Sequence, residues 1–205
     1  MKLWSIPVGA RGFDTVARLT EEQAIAFARD GFAFCVPYLD SADAAYIAML
    51  TNSGLAVMAT SYSRESGWTV TADEGATTGA FMTRRAKECG FLPGVNVYLD
   101  LEGMSDATSP EDANSYVRLA AAPLEGSGFV PGAYVGDSLP LDATALYRLP
   151  VRGYWRSMSS VPTPSNVGYQ LYQLYDTQTV HGVSVDIDVS QRDYRLRPPV
   201  AMAAG

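Results

Sequence analysis

Histidine is almost missing from this chain: of 205 residues, only His181 carries an imidazole. Histidine-rich metal sites, and Ser/His/Asp or Cys/His catalytic machinery, would all have to be built on that one side chain. It lies between a Thr-Gln-Thr-Val segment and Gly182, a turn context in which a structural role is expected. Cysteine is nearly as scarce. Cys35 and Cys89 fall far apart, in a predicted buried strand and at a predicted helix end, which argues for two buried thiols and against a disulfide scaffold. Positive charge is in deficit, with 15 Lys and Arg against 22 Asp and Glu, for a net charge of -7. Such a composition does not neutralise phosphates, which excludes nucleic acid and acidic membrane surfaces as general partners. No stretch approaches the roughly 20 apolar residues of a spanning helix, so no membrane insertion is expected, and residues 1–9 lack the apolar core of a signal peptide. No Gly-x-Gly-x-x-Gly follows the first predicted strand, which leaves an open doubly wound sheet only as the runner-up architecture.

What the chain does have is a repeating strand-to-helix rhythm. With 47% hydrophobic and 18% charged residues, it is expected to form one domain over 1–190, followed by a poorly ordered tail over 191–205. A strand over 12–16 leads to a helix capped by Thr20 with Gln23 at the third position, ending at Asp30-Gly31. An apolar strand over 32–39 leads to a helix over 42–50 capped by Ser41, and a third strand over 55–62 leads to a helix over 71–89. A fourth strand lies within 94–103, a helix capped by Ser109 starts at Pro110, and a fifth strand covers 129–136. Beyond this point the helices shrink to two turns over 142–149. Strands over 151–155, 168–174 and 183–189 complete a set of eight, the last two joined through His181-Gly182 with no helix. The expectation is an α/β fold, a single (β/α) TIM-like barrel of eight strands with few helices in its second half.

In 94–103, Val95, Val97, Leu99 and Leu101 alternate with Asn96, Tyr98, Asp100 and Glu102. A strand therefore sends its aliphatic row toward helices and its two acids toward the interior. The same alternation around Val183, Val185, Ile187 and Val189 turns Asp186 and Asp188 inward. In a barrel the C-terminal strand ends form one mouth. That rim would gather Asp14, Tyr38, Ser61 with Tyr62, Asp100 with Glu102, Tyr134, Trp155, Gln173, and Asp186 with Asp188. One strand-end acid is more often a capping or loop-fixing group than a catalyst, but five on one rim point to acid chemistry. Crowded carboxylates cannot all ionise freely, so one keeps its proton toward neutral pH while another stays charged, the pairing that glycoside hydrolysis requires. Tyr38, Tyr62, Tyr98, Tyr134 and Trp155, with Gln173 and Asp188, would then contact substrate, aromatic rings serving as platforms for sugar faces. Trp68, in a loop, is a further ligand candidate, and core filling is the competing role for Tyr98 and Tyr134. An oxygen-only site for Mg²⁺ or Ca²⁺ competes with this reading, although histidines are poorly supplied for it.

The motifs Gly12-Phe13-Asp14, Val97-Tyr98-Leu99-Asp100-Leu101-Glu102, Pro131-Gly132-Ala133-Tyr134 and Gly182-Val183-Ser184-Val185-Asp186-Ile187-Asp188 occur in this order over nearly the whole chain. In them the sequence resembles the glycoside-hydrolase-like barrel domains of uncharacterised bacterial and phage proteins, relatives of the glycoside hydrolase family 25 lysozymes. The resemblance implies a barrel with a helix-poor second half, action on the glycan strands of peptidoglycan without a metal or other cofactor, and an endolysin-like setting. Carried over by position, it implies Glu102 as general acid, Asp100 as its orienting or stabilising neighbour, and Asp14 and Asp186 as the rest of an acidic floor. Asp188 stands where the lysozymes more often have Asn. The expected route to the wall is cytoplasmic synthesis followed by lysis or a non-standard export. A barrel that binds wall glycan without cleaving it is the alternative function.

Overall fold

The alternating stretch becomes β6 (Asn96–Asp100) in the computed structural model, which describes residues 1–61, 64–174 and 177–205. Its aliphatic row, Val95, Val97, Leu99 and Leu101, is fully buried on one side, and its polar row faces the interior of a curled sheet. The chain runs β1 (Lys2–Ser5), β2 (Arg11–Thr15), α1 (Glu21–Arg29), β3 (Phe34–Pro37), α2 (Ala44–Asn52), β4 (Ala56–Val57), β5 (Ala59–Thr60) and α3 (Ala72–Glu88) up to β6. It continues through α4 (Pro110–Gly126), β7 (Val130–Val135), α5 (Ala143–Arg148), β8 (Gly153–Arg156), β9 (Leu171–Gln173), β10 (Gln178–Val180), β11 (Val183–Ser190) and β12 (Val200–Ala203).

The expected helix starts follow from side chains that accept the first free backbone N–H groups. Thr20 Oγ1 accepts from Gln23 N while Gln23 Oε1 accepts from Thr20 N, a reciprocal capping box. Ser109 caps α4, whose first residue is Pro110. The second helix differs: Asp43 Oδ1 accepts from Tyr46 N at 2.7 Å and is the cap, whereas Ser41 turns its hydroxyl to the Tyr38 carbonyl. A carboxylate placed one residue ahead of the helix outcompetes the hydroxyl two residues earlier.

The sheet runs β1-β12-β4-β3-β2-β11-β9-β8-β7-β6-β5, with β10 hydrogen-bonded to β11 off that path. The expected third strand is two short pieces separated by Met58. β4 pairs in parallel with β3, and β5 pairs in parallel with β6. These pieces are neighbours in the chain yet lie at distant points of the strand order, so the sheet curls until those points meet. Tyr38 bridges to Thr60, and Leu39 N donates to Thr60 O at 3.1 Å across the junction.

Three features depart from a regular eight-stranded (β/α) barrel. First, β11 is antiparallel to both neighbours, β2 and β9, because a hairpin and not a helical crossover feeds it. That hairpin turns at His181 and Gly182, both with positive φ, and the imidazole Nε2 lies 2.9 Å from Asp30 Oδ2. Second, the helices thin out after β7, leaving Ile187 and Val189 only half-buried on the outer side of β11. Third, the tail is not frayed. β12 pairs with β1 and β4, Ala201 and Met202 are buried, and the two chain ends finish side by side. The turn leading into it is organised by buried Asp193, which accepts from Arg195 N and Arg197 N and pairs with the Arg197 guanidinium. Inside the sheet, Val200 N donates to Asn96 Oδ1 and Gln170 Nε2 donates to Arg197 O, so the tail lies across the end opposite the acids.

Phe13, Phe27 and Phe32 pack between β2 and α1, with Phe13 and Phe27 stacked at 4.2 Å. Within the curled sheet Tyr98 meets Trp155 edge-on, and Gly132 is the residue that lets Tyr98 lie flat: a Cβ there would sit 2.4 Å from the ring. Cys35 and Cys89 are buried free thiols.

Candidate active site

Asp14, near the end of β2, and Asp186 of β11 are register partners, and each accepts from the same donor: Gln173 Nε2 lies 3.1 Å from Asp14 Oδ2 and 3.2 Å from Asp186 Oδ2. The amide is held by its other end, since the Tyr134 hydroxyl donates to Gln173 Oε1 at 2.9 Å. Thr177 Oγ1 donates to the free oxygen of Asp186 at 2.7 Å. Gln173 therefore does not wait for substrate alone; it clamps two carboxylates together.

Asp100, the last residue of β6, accepts the Glu102 N–H at 3.0 Å through Oδ1, and its own N–H is held by Ser61 Oγ. Glu102 is further fixed through its backbone, where the Trp68 indole donates to Glu102 O at 2.8 Å. Gly136, which follows β7, makes room for it, because a Cβ there would sit 2.3 Å from Glu102 Cβ. Glu102 lies where two hollows adjoin. One, about 350 Å³, is lined by Glu102, Tyr134, Met158, Ser159, Gln173, Thr177 and Asp186. The other, about 380 Å³, is lined by Arg64, Ser66, Asp100, Glu102, Gly103, Asp137, Ser138 and Ser159. A hollow of about 400 Å³ at the opposite pole, beside β1 and β12, contains no carboxylate and is set apart from this chemistry.

Electrostatics follow from burial in a site with little positive charge. Burial, then the charge of Asp186, pushes the Asp14 carboxyl well above the ordinary range, and the Gln173 hydrogen bond opposes them. Burial raises Asp100 to about 7 despite the Glu102 N–H, with the Glu102 charge adding to the rise and Arg64 opposing it. Glu102 is raised as well, chiefly by burial, while the Asp137 N–H works the other way. The Tyr38 and Tyr134 hydroxyls are held firmly protonated, first by burial and then by the surrounding acids, Asp14, Asp100 and Glu102 acting on both. Among the described residues no three His, Cys, Asp or Glu side chains converge closely enough to hold a metal ion.

The structure thus brings together Asp14, Asp100, Glu102, Asp186, Tyr38, Tyr134 and Gln173. It removes three predicted contacts from the surface. Trp155 is fully buried, packed 4.4 Å from Tyr134, and donates its indole N–H to Asp188 Oδ1 at 2.8 Å. Tyr98 is equally buried beneath it. Asp188 lies one step deeper than Asp186, opposite Gly12, because antiparallel β11 moves away from the mouth as its numbering rises. Tyr62 lies outside the described residues. The sequence reading missed Arg64, whose guanidinium stacks 3.8 Å over Trp68 and donates to Thr78 and Tyr116. It also missed Asp137, Ser159 and Thr177; of these, only Asp137 carried a visible signal, an acid just past a strand end.

The family described as Rv2525c-like, glycoside hydrolase-like domain matches residues 10–194. The chain belongs to this family. No curated protein matches it. Among solved structures it is similar to the Tat-secreted protein Rv2525c of Mycobacterium tuberculosis in complex with L-tartrate, at 14% identity and TM-score 0.70, over 92% of this chain and 100% of that one. A bacterial lysozyme from Streptomyces coelicolor matches at 16% identity and TM-score 0.57, over 92% and 95% of the two chains. The catalytic domain of endolysin ply40 from bacteriophage P40 of Listeria monocytogenes matches at 13% identity and TM-score 0.57, over 89% and 93%. This Rv2525c-like chain therefore has a glycoside hydrolase-like fold, one it shares with those lysozyme and endolysin structures. No helix among the described residues is long and apolar enough to cross a membrane.

Proposed function

We propose that this protein is a cell-wall glycan hydrolase of the muramidase type, built on a barrel closed where residues 56–60 join β4, beside β3, to β5 at the far end of the strand order. The observation that carries the reading is the placement of Asp100, Glu102 and Asp186 on two adjoining hollows that share Glu102 and Ser159, with buried Asp14 tied to Asp186 through Gln173. Glu102 is the proton donor: partial burial raises its carboxyl above the ordinary range, and the glycosidic oxygen of a chain spanning both hollows would lie beside it. Asp100 fixes the Glu102 backbone and, once ionised, supports positive charge developing on the sugar ring. Asp14 and Asp186, joined by Gln173, form the floor, and Tyr134 and Tyr38 offer hydroxyl and ring edges to the glycan. Peptidoglycan is the proposed substrate, which places the work of the protein at the cell wall.

Peptidoglycan incubated with the protein should release new reducing ends. Glu102→Gln, which keeps the shape and loses the proton, should lower that rate by roughly 10²–10⁴-fold with the thermal transition intact. Undiminished release by the variant would remove Glu102 from the mechanism, and no release by the wild type would leave glycan binding without cleavage. A chelator should change nothing; activity lost to chelator and restored by Mg²⁺ or Ca²⁺ would replace proton transfer with metal assistance.

A further inference from the structure

Among the described residues five carboxylates face the interior of the curled sheet, and the mechanism above uses four. The fifth, Asp188, is fully buried and sits on β11 opposite Gly12 of β2 and Gln173 of β9. From β8, Trp155 Nε1 donates to Oδ1. From β9, Gln173 gives its amide to Asp14 and Asp186 instead. From β6 comes the Tyr98 phenol, which is close enough to feel the Asp188 charge. The charged groups that bear on it, Asp14 of β2 and Asp186 of its own strand, are both acids. Asp188 Oδ2 and the Tyr98 hydroxyl are both buried without a hydrogen-bond partner.

An ionised carboxylate is tolerated inside a protein when cations or several donors replace its water. Asp188 has one donor, and the charges acting on it repel. We propose that Asp188 is a neutral, protonated carboxylic acid in the folded protein, a positioning residue whose Oδ1 anchors the Trp155 indole while Oδ2 keeps the proton. Through Trp155 it supports Tyr134, and through Tyr134 the amide that clamps Asp14 to Asp186. Its neutrality also keeps a further negative charge from arising beneath Asp14. Burial, followed by the charge of Asp14, acts in this same direction, against the single Trp155 hydrogen bond.

The test compares unfolding temperatures of the wild type and Asp188→Asn across pH 4–9. Asn keeps the acceptor for Trp155 and is neutral at every pH. A carboxyl that holds its proton in the folded state loses stability as pH rises past the unfolded value near 4. The variant should therefore unfold at least about 4 °C hotter than the wild type at pH 8, with the gap closing toward pH 4. A gap that does not change with pH, or a variant less stable at pH 8 than at pH 4 relative to the wild type, would overturn the assignment. Infrared difference spectra, wild type minus Asp188→Asn, separate this carboxyl from Asp14 and Asp100: a protonated-carboxyl C=O band should remain in the difference at pH 7, and its absence would also overturn the assignment. Neither measurement depends on glycan turnover, so this inference and the hydrolase reading can fail separately.

Discussion

Burial withholds water from the charge of Asp100 and pushes its carboxyl up to about 7, and the Glu102 N–H and Arg64 recover only part of that loss. Its folded value lies above the unfolded value of about 3.9, so the native state holds the extra proton between the two and loses stability as pH rises through that interval. Asp100→Asn should thus gain roughly 2–4 kcal/mol over the wild type above pH 7 and nothing near pH 4, measured by denaturant titration at both pH values. Residue-level chemistry was legible where it depended on side-chain alternation alone. Two acids at positions i and i+2 of a strand must share a face, and Asp100 with Glu102 do. Depth was not legible. Asp188 was placed at the mouth because nothing local reveals that β11 runs antiparallel and carries higher numbers downward, and Trp155 because nothing local reveals that its indole pairs with that buried acid. The double role of Gln173 was equally hidden, since it needs the register of β2, β9 and β11 together.

Helices α3 and α4 meet with almost no side chains between them. A Cβ on Gly75 would sit 2.5 Å from Tyr116 O, and one on Gly79 2.5 Å from Ala120 O. Helix propensity alone favours alanine over glycine by about 1 kcal/mol, but here the obstacle is backbone, and overpacking costs about 1–3 kcal/mol or more. Gly79→Ala should therefore be destabilising by roughly 1–2 kcal/mol and Gly75→Ala similarly, while Gly126→Ala, with nothing within 4 Å, should be neutral or slightly stabilising. Thermal melts of the three variants check the sign. Elements with a local code were read well, notably the Thr20 box and the Ser109-Pro110 start. The split of the third strand at Met58 was not, because it depends on closure against both β3 and β6.

At the scale of the whole molecule, residues 191–205 show the limit of pattern reading. Val200-Ala201-Met202-Ala203 has no strong strand signature, yet it becomes β12 because β1 lies on one side and β4 on the other. Removing residues 200–205 would strip β1 of its partner, uncover β4 and leave Asn96 Oδ1 without the Val200 N–H. That truncation should cost at least about 3 kcal/mol, seen as a lower denaturation midpoint, whereas a frayed tail would cost nothing.

The pairing of β1 with β12 also closes the backbone into something near a ring, with Met1 and Gly205 adjacent at the pole away from the acids. Order along the chain then matters less than order around the sheet. A short linker between the ends, with a new opening at the turn of 181–182, would yield a rearranged polypeptide that keeps the same strand neighbours. Anything joined at Met1 or Gly205 would project away from the cleft and leave its mouth free for a polymer to pass.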